Sequence, residues 1–329
     1  IAQCLVGSEM CIRDRLYIIK STVIIAGTCT GFVSNRIIRD VEFDYVIVDE
    51  AAKATFPELA VSLNKAHKII LVGDHQQLPP VLDTEIIRNN KEKLDEEGLA
   101  QGIFERMYNM FPEDNKHRLT IQYRMHPTIG TLISHVFYND EIQNGVEAQD
   151  RELCIEGYEG IAIEWISTSK YSTKERYEKE FDNNGKKSYQ NYLERNIIER
   201  KLLELDSKLV KRTKVAVITG YGSQKYILQT MVKQHSFKHI EVDVDTVDAF
   251  QGSQKDIILY STVRSSGNKY GIGFLKSEAR INVAFSRARC LLIIVGDMKF
   301  LDNYKIRGNK FPEIIKYITE SEGCRIIEK

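Results

Sequence analysis

The sequence predicts an α/β fold built on parallel strands, and three observations carry that prediction. Short apolar runs rich in β-branched residues recur: Val23-Ile24-Ile25, Tyr45-Val46-Ile47-Val48, Ile69-Ile70-Leu71-Val72, Val215-Ala216-Val217-Ile218, Ile257-Ile258-Leu259-Tyr260 and Leu291-Leu292-Ile293-Ile294-Val295. They are nearly continuous instead of alternating, which is how strands buried on both faces of a parallel sheet read. The runs stop at residues that turn the chain or do chemistry, among them Asp49-Glu50, Gly73-Asp74, Gly220, Arg264 and Gly296-Asp297. Ligands of open α/β sheets bind at those carboxyl ends.

At 329 residues the chain is long enough for two domains, each with its own core. Two clusters of strands flank a charged, mostly helical middle. Residues 89–110, with Leu94, Leu99, Ile103, Phe104 and Met107, predict an amphipathic helix that Phe111-Pro112 breaks. The boundary is placed near residues 114–117, giving domains at 16–114 and 115–329. Residues 1–15, IAQCLVGSEMCIRDR, lack an initiator Met and a clear period. They resemble translated sequencing-adapter DNA and are expected to be a non-native leader.

Composition excludes little. Lys plus Arg equals Asp plus Glu at 46 each, but a basic track for a polyanion can be local and vanish in the total. The six cysteines form no CxxC pair, which argues against a zinc site or disulfide framework and for a reducing, intracellular compartment, cytoplasmic or nuclear. No apolar run reaches the length of a membrane span, and no signal or transit peptide is recognisable.

Two segments carry candidate chemistry. In YVIVDEAA, residues 45–52, a strand delivers Asp49 and Glu50 at its end. Nucleoside triphosphate hydrolysis needs such a pair, one carboxylate for Mg²⁺ and one to orient or deprotonate water. The alternative is a strand running into a helix capped by Asp49. In IILVGDHQQLPP, residues 69–80, Gly73-Asp74 ends a second strand and an amide pair, Gln76-Gln77, precedes a Leu-Pro-Pro stop. A glutamine there can hydrogen-bond a γ-phosphate and the attacking water, although Gly, Asp and Pro also make ordinary turns.

DEAA followed by GDHQQLPP resembles motifs II and III of superfamily 1 helicases, and the series continues in order. QYRMHP at 122–127 matches a signature of that family, and VITGYGSQ at 217–224 resembles its strand with a Tyr-x-x-Gln turn. DTVDAFQGSQKD at 245–256 resembles motif V, and INVAFSRAR at 281–289 resembles motif VI. QYRMHP with this motif V is similar to the branch of the nonsense-mediated-decay helicase and senataxin. The resemblance spans residues 23–297.

That resemblance implies two RecA-like parallel-sheet domains with an ATP cleft between them, the first truncated at its N-terminus. Asp49 would hold Mg²⁺, Glu50 would be the general base and Gln77 the γ-phosphate sensor. Arg124 and Arg287 would be arginine fingers; a planar, permanently charged guanidinium suits a transferring phosphoryl group. Arg289, two residues on, diverges by about 200° on a helix and is read as a packing or ion-pairing residue.

Tyr123 would stack on adenine, unless it is a half-buried core tyrosine. Gly252 would let backbone approach the phosphates. Gln254 stands where many relatives carry Glu to contact the ribose; an amide still donates and accepts. Thr28 and Thr246 would grip the nucleic-acid backbone or satisfy local turns. Tyr221 and Gln224 would face nucleic acid or nucleotide. Residues 170–187, rich in Lys, Glu and Tyr around Asn183-Asn184-Gly185, read as a nucleic-acid-facing insertion or as a solvated loop.

No G-x-x-x-x-G-K-[ST] loop occurs in the sequence, although the family carries this phosphate cradle before motif II. The chain is therefore expected to be a fragment, inactive alone, of an ATP-dependent helicase or translocase. By resemblance it is a monomeric motor moving 5′ to 3′ on single-stranded RNA or DNA, with ATP and Mg²⁺ and without membrane association. A degenerate helicase serving as a nucleic-acid scaffold and an unrelated non-translocating P-loop ATPase are the alternatives.

Overall fold

The computed structural model describes residues 17–35, 38, 41–80, 102–183, 186–266 and 271–328. The expected leader at 1–15 and residues 89–101 of the expected helix lie outside them. The chain divides into two compact units, residues 1–117 and 118–329.

In the first unit, helix α1 (Cys29–Ser34) starts at an N-cap, Thr28, whose hydroxyl accepts from Gly31 N at 3.1 Å. Strand β1 (Phe43–Val48) runs into a 3₁₀ turn (Ala51–Lys53) and helix α2 (Phe56–Leu63). Thr55 and Glu58 form a reciprocal cap that starts α2. Strand β2 (Ala66–Leu71) pairs parallel with β1, from Phe43 opposite Ala66 to Val48 opposite Leu71. Helix α3 (Ile103–Met110) starts after Gly102, whose φ is 72°. Val48, Ala51, Ala52, Leu59 and Phe104 form the small core.

Two expectations need correction here. Val23-Ile24-Ile25 is not a strand; Val23 is 96% exposed, and among the described residues no strand lies beside it to pair its backbone. Nor are β1 and β2 buried on both faces, since Tyr45, Ile47, Ile69 and Ile70 are exposed. Among the described residues these strands form a two-stranded sheet, too narrow for both faces to be covered.

The second unit opens with β3 (Ile121–Gln122), α4 (Pro127–Phe137) and β4 (Gln143–Asn144), then enters its main sheet at β5 (Ile163–Ser167). A short helix α5 (Thr173–Arg176) and an antiparallel hairpin, β6 (Lys179–Asn183) with β7 (Lys186–Gln190), occupy the segment for which a solvated loop was one of two expectations. The sequence Tyr177-Glu178-Lys179-Glu180-Phe181 explains this, because it alternates with the strand period of two.

Helix α6 (Tyr192–Lys208), β8 (Thr213–Thr219), α7 (Gly222–Val232), β9 (Ile240–Thr246) and β10 (Lys255–Ser261) come next. Helix α8 (Glu278–Phe285), β11 (Ala288–Gly296), α9 (Met298–Asn303), α10 (Phe311–Glu320) and β12 (Cys324–Glu328) complete the unit. The sheet is entirely parallel, in the order β12-β5-β11-β10-β8-β9. On one face Val215, Val217, Leu259 and Ile293 meet α6 and α7 through Ile198, Leu202 and Leu228. On the other, Trp165 packs edge-on to Phe311 of α10 and Tyr260 to Phe285 of α8. This three-layer α/β arrangement buries β8, β10 and β11 as the sequence predicts.

Candidate functional site

In the first unit the two acidic and amide segments meet. Ala51 N donates to Val72 O at 2.8 Å, and a Cβ on Gly73 would come within 2.8 Å of Ala52 N. Only glycine there, opposite the small Ala51-Ala52 pair, lets the two strand ends close together. Glu50 occupies the left-handed region at φ 53°, and its N–H donates to Asp49 Oδ1 at 2.9 Å. The cap of the 3₁₀ turn is thus Glu50, not Asp49, and its side chain makes no cap bond. Both carboxylates stay exposed at the carboxyl end of β1. A non-glycine residue at positive φ at such a site stores backbone strain that aims its side chain.

Beyond β2, Asp74 organises the turn. Its carboxylate accepts from Gln76 N and from Gln77 Nε2, each at 2.9 Å. Gln77 is therefore oriented by a carboxylate on the same rim as Asp49 and Glu50. Earlier in this unit, Thr28 is exposed and spends its oxygen on the α1 cap, so the local-turn role is satisfied.

In the second unit the QYRMHP segment folds around its own glutamine. Gln122 Oε1 accepts from Arg124 N and Met125 N at 2.9 and 2.8 Å, and Gln122 Nε2 donates to Met125 O and Asn144 Oδ1. His126 caps α4, its Nδ1 accepting from Thr128 N at 3.2 Å. Burial holds this imidazole below its usual range, opposed by the Glu152 charge. Arg151 clamps the segment from outside, donating to the carbonyls of Tyr123 and Arg124 at 2.8 Å. Tyr123 itself is exposed, not a core residue.

The structure brings Arg124 and Arg287 together. Arg124 Nη1 donates to Ser286 O at 3.3 Å, the carbonyl directly before Arg287. Arg287 is only 2% exposed; it donates to Val283 O, Ser253 O and Ser286 Oγ at 3.1, 3.4 and 3.2 Å. Its guanidinium thereby ties the end of α8 to the Gly252–Gln254 turn. Gly252 sits at φ 80° with open space where a Cβ would be, and Gln254 is exposed. Arg289 points elsewhere, pairing with Asp256 at 3.1 Å, while its backbone oxygen accepts from His126 N at 2.7 Å.

Thr246 ends β9 opposite Thr219 and is half-buried. Tyr221 and Gln224 depart from expectation: both are buried, so neither presents its side chain to a ligand in this conformation. Tyr221 is wedged between the rings of Tyr189 and Phe274, and burial pushes its hydroxyl up to about 12. Gln224 bridges Asn191 and Ser261, accepting from Asn191 N at 2.7 Å and donating to Ser261 Oγ at 3.1 Å.

A buried polar network at the carboxyl ends of β10 and β11 joins Arg264 and Asp297, which the sequence marks only as strand-end residues, to partners that sequence reasoning missed. Glu194 of α6 accepts from Ser261 Oγ, Thr262 Oγ1 and Val263 N. Val263, a β-branched residue at φ 69°, is held there by Glu194 and by Asn191 Nδ2, which donates to Val263 O at 3.0 Å. Asp297 caps α9 and accepts from Ser169 Oγ and Ser265 Oγ. Arg264, fully buried, lies 3.0 Å from Glu178 and over the Tyr189 ring. A charge just past an apolar run, such as Arg264 three residues after β10, was the available signal; Glu178 and Tyr189, which meet it, come from 86 and 75 positions earlier in the chain.

A family profile described as an AAA domain matches residues 99–299, and a second with that description matches residues 12–85. The chain is 34% identical over 296 residues to a regulator of nonsense transcripts 1 homolog of Neurospora crassa, covering 88% of this chain and 26% of that protein. It is 35% identical over 319 residues to the ATP-dependent helicase NAM7 of Saccharomyces cerevisiae, covering 95% of this chain and 31% of that protein. A Drosophila melanogaster regulator of nonsense transcripts 1 homolog is 35% identical over 291 residues, covering 86% and 23%. The chain thus spans about a quarter to a third of the length of these relatives.

Proposed function

This chain belongs to the superfamily 1 helicases, in the branch of the nonsense-mediated-decay helicase, and from that footing we propose that it supplies most of the motor of an ATP-driven translocase on single-stranded nucleic acid. The observation that supports the reading best is the meeting of two strand ends in the first unit, which sets Asp49, Glu50 and Gln77 on one rim.

In this reading Glu50 takes the proton of the attacking water, and Gln77, oriented by Asp74, hydrogen-bonds that water and the terminal phosphate. Asp49 would hold Mg²⁺; one exposed carboxylate suits an ion that keeps waters and takes its other ligands from substrate phosphates. When bound, the ion would supply positive charge that neutralises the phosphates. Arg124 and Arg287 stabilise charge on the transferring phosphoryl group. Arg287 must exchange its bonds to Val283 O and Ser253 O for phosphate oxygens, which links nucleotide binding to the Gly252 turn. Tyr123 stacks on the base, and Gln254 meets the ribose. Thr28 and Thr246 contact the nucleic-acid backbone through hydroxyl and N–H groups. Tyr221 and Gln224 act one step back, as supports of the β8 and β10 strand ends.

Strand displacement by the full-length protein tests this. Unwinding of a 5′-tailed duplex with ATP, lost in Glu50→Gln, is expected. ATP turnover without displacement on either a 5′- or 3′-tailed duplex favours a non-translocating ATPase, and nucleic-acid binding without ATP turnover favours a scaffold.

A further inference from the structure

Residues 169–183 and 186–191 are docked firmly onto the second unit, yet no step of the ATPase chemistry uses them. Glu178, almost fully buried, accepts from Ser265 N and Ser266 N at 2.9 Å and from Ser266 Oγ at 2.6 Å, beside Arg264. Arg176 reaches Asp297 and Ser169 O, and Asn191 Nδ2 donates to Arg176 O at 2.8 Å. The segment is therefore fixed at the carboxyl ends of β10 and β11, the edge at which open α/β sheets bind ligands.

Strand alternation then sorts its side chains. Glu178 and Glu180 turn to Arg264 and to Tyr189, respectively. Tyr177 and Phe181 turn out, 38% and 39% exposed, with exposed Lys179 between them. Tyr192, at the start of α6 and 46% exposed, continues this row: Lys179 Nζ lies 5.2 Å from its ring centroid, and its hydroxyl donates to Gln190 Oε1 at 3.1 Å. Among the described residues Lys179 has no acidic partner, whereas Glu180 is matched by Lys187.

We propose that the row Tyr177, Lys179, Phe181 and Tyr192 is a stacking surface for single-stranded nucleic acid. This rests on the reading of the chain as a nucleic-acid motor. Alternate strand residues stand about 6.6 Å apart, so successive unstacked bases can meet successive side chains. Aromatic faces take any base, and an uncompensated cation takes the phosphate that accompanies it. Docking through Glu178 holds the surface in shape before binding, which lowers the ordering cost.

The test is fluorescence anisotropy of labelled oligo(dT) and oligo(U) with this chain, comparing Phe181→Ala, Tyr192→Ala and Lys179→Ala with wild type. All three positions are exposed, so the fold is not at stake, and thermal melting checks that. The aromatic variants are expected to bind about tenfold more weakly, on the scale of one lost stacked base. Phe181→Trp is expected to restore binding. Lys179→Ala is expected to lower the salt slope by about one. Wild-type binding with all three variants within about twofold, well short of one lost stack, overturns the surface while leaving the motor reading intact. So does an equal loss in Tyr226→Ala, an exposed tyrosine on α7. Absence of binding by wild type removes the nucleic-acid reading itself and this surface with it.

Discussion

The Arg264 Nε lies 3.0 Å from a Glu178 oxygen, and both side chains are sealed from solvent although 86 residues separate them in sequence. The pair joins the hairpin segment to the turn after β10, where Val263 is held at positive φ. Removing one partner of a buried pair leaves the other charged and unmatched, which costs more than the pair itself contributes. Glu178→Ala also orphans Ser265 N and Ser266 N. A loss of about 3–5 kcal/mol in unfolding free energy is expected, read from urea denaturation of the chain. A change within about 0.5 kcal/mol, the scale of an ordinary surface substitution, contradicts the assigned role.

Glu194 predicts a pH dependence. Burial pushes its carboxyl from the ordinary 4.5 up to about 8, although bonds from Ser261, Val263 and Thr262 pull it down. Between those values the folded chain holds a proton that the unfolded chain has lost. This contribution to stability is therefore fully present below about 4.5, falls as pH rises, and levels off above about 8. Glu194→Gln is expected to flatten that part of the profile, measured as denaturation midpoint against pH. An unchanged slope contradicts it.

The two arginines of SRAR separate cleanly in space, Arg287 toward Ser253 and Arg289 toward Asp256. Arg287→Lys is expected to lower ATP turnover of the full-length protein by about 10³-fold, the scale of a lost arginine finger. Arg289→Lys is expected to leave turnover within a few-fold, because a partly solvent-exposed ion pair contributes little. Equal losses at the two positions would refute the separation.

The sequence disclosed the structure where pattern and burial agree. β8, β10 and β11 are continuous apolar runs and lie in the middle of the sheet. β5 was hidden by Glu164, a charge that reads as solvent-facing but is buried with Lys201 and Arg325. β9 alternates Glu241, Asp243 and Asp245 with valines because it is an edge strand. Val23-Ile24-Ile25 shows the converse, since apolar character alone supplies no partner for a backbone. At the candidate site, the positions of Asp49, Glu50 and Gln77 were legible because the residues past a strand end are presented at the edge of the sheet. The enclosure of Tyr221 and Gln224 was not, because Tyr189 and Asn191 arrive from another part of the chain to meet them.

In the proposed function, Glu50 is the residue on which ATP hydrolysis coupled to a single strand depends most. ATP turnover by the full-length protein, with and without oligo(U) or oligo(dT), tests that role in wild type and Glu50→Gln. Turnover is expected to be stimulated by the single strand and lowered by Glu50→Gln about 10²–10⁴-fold, the range of a lost general base, with strand binding retained. Wild-type turnover in the Glu50→Gln protein would contradict that role.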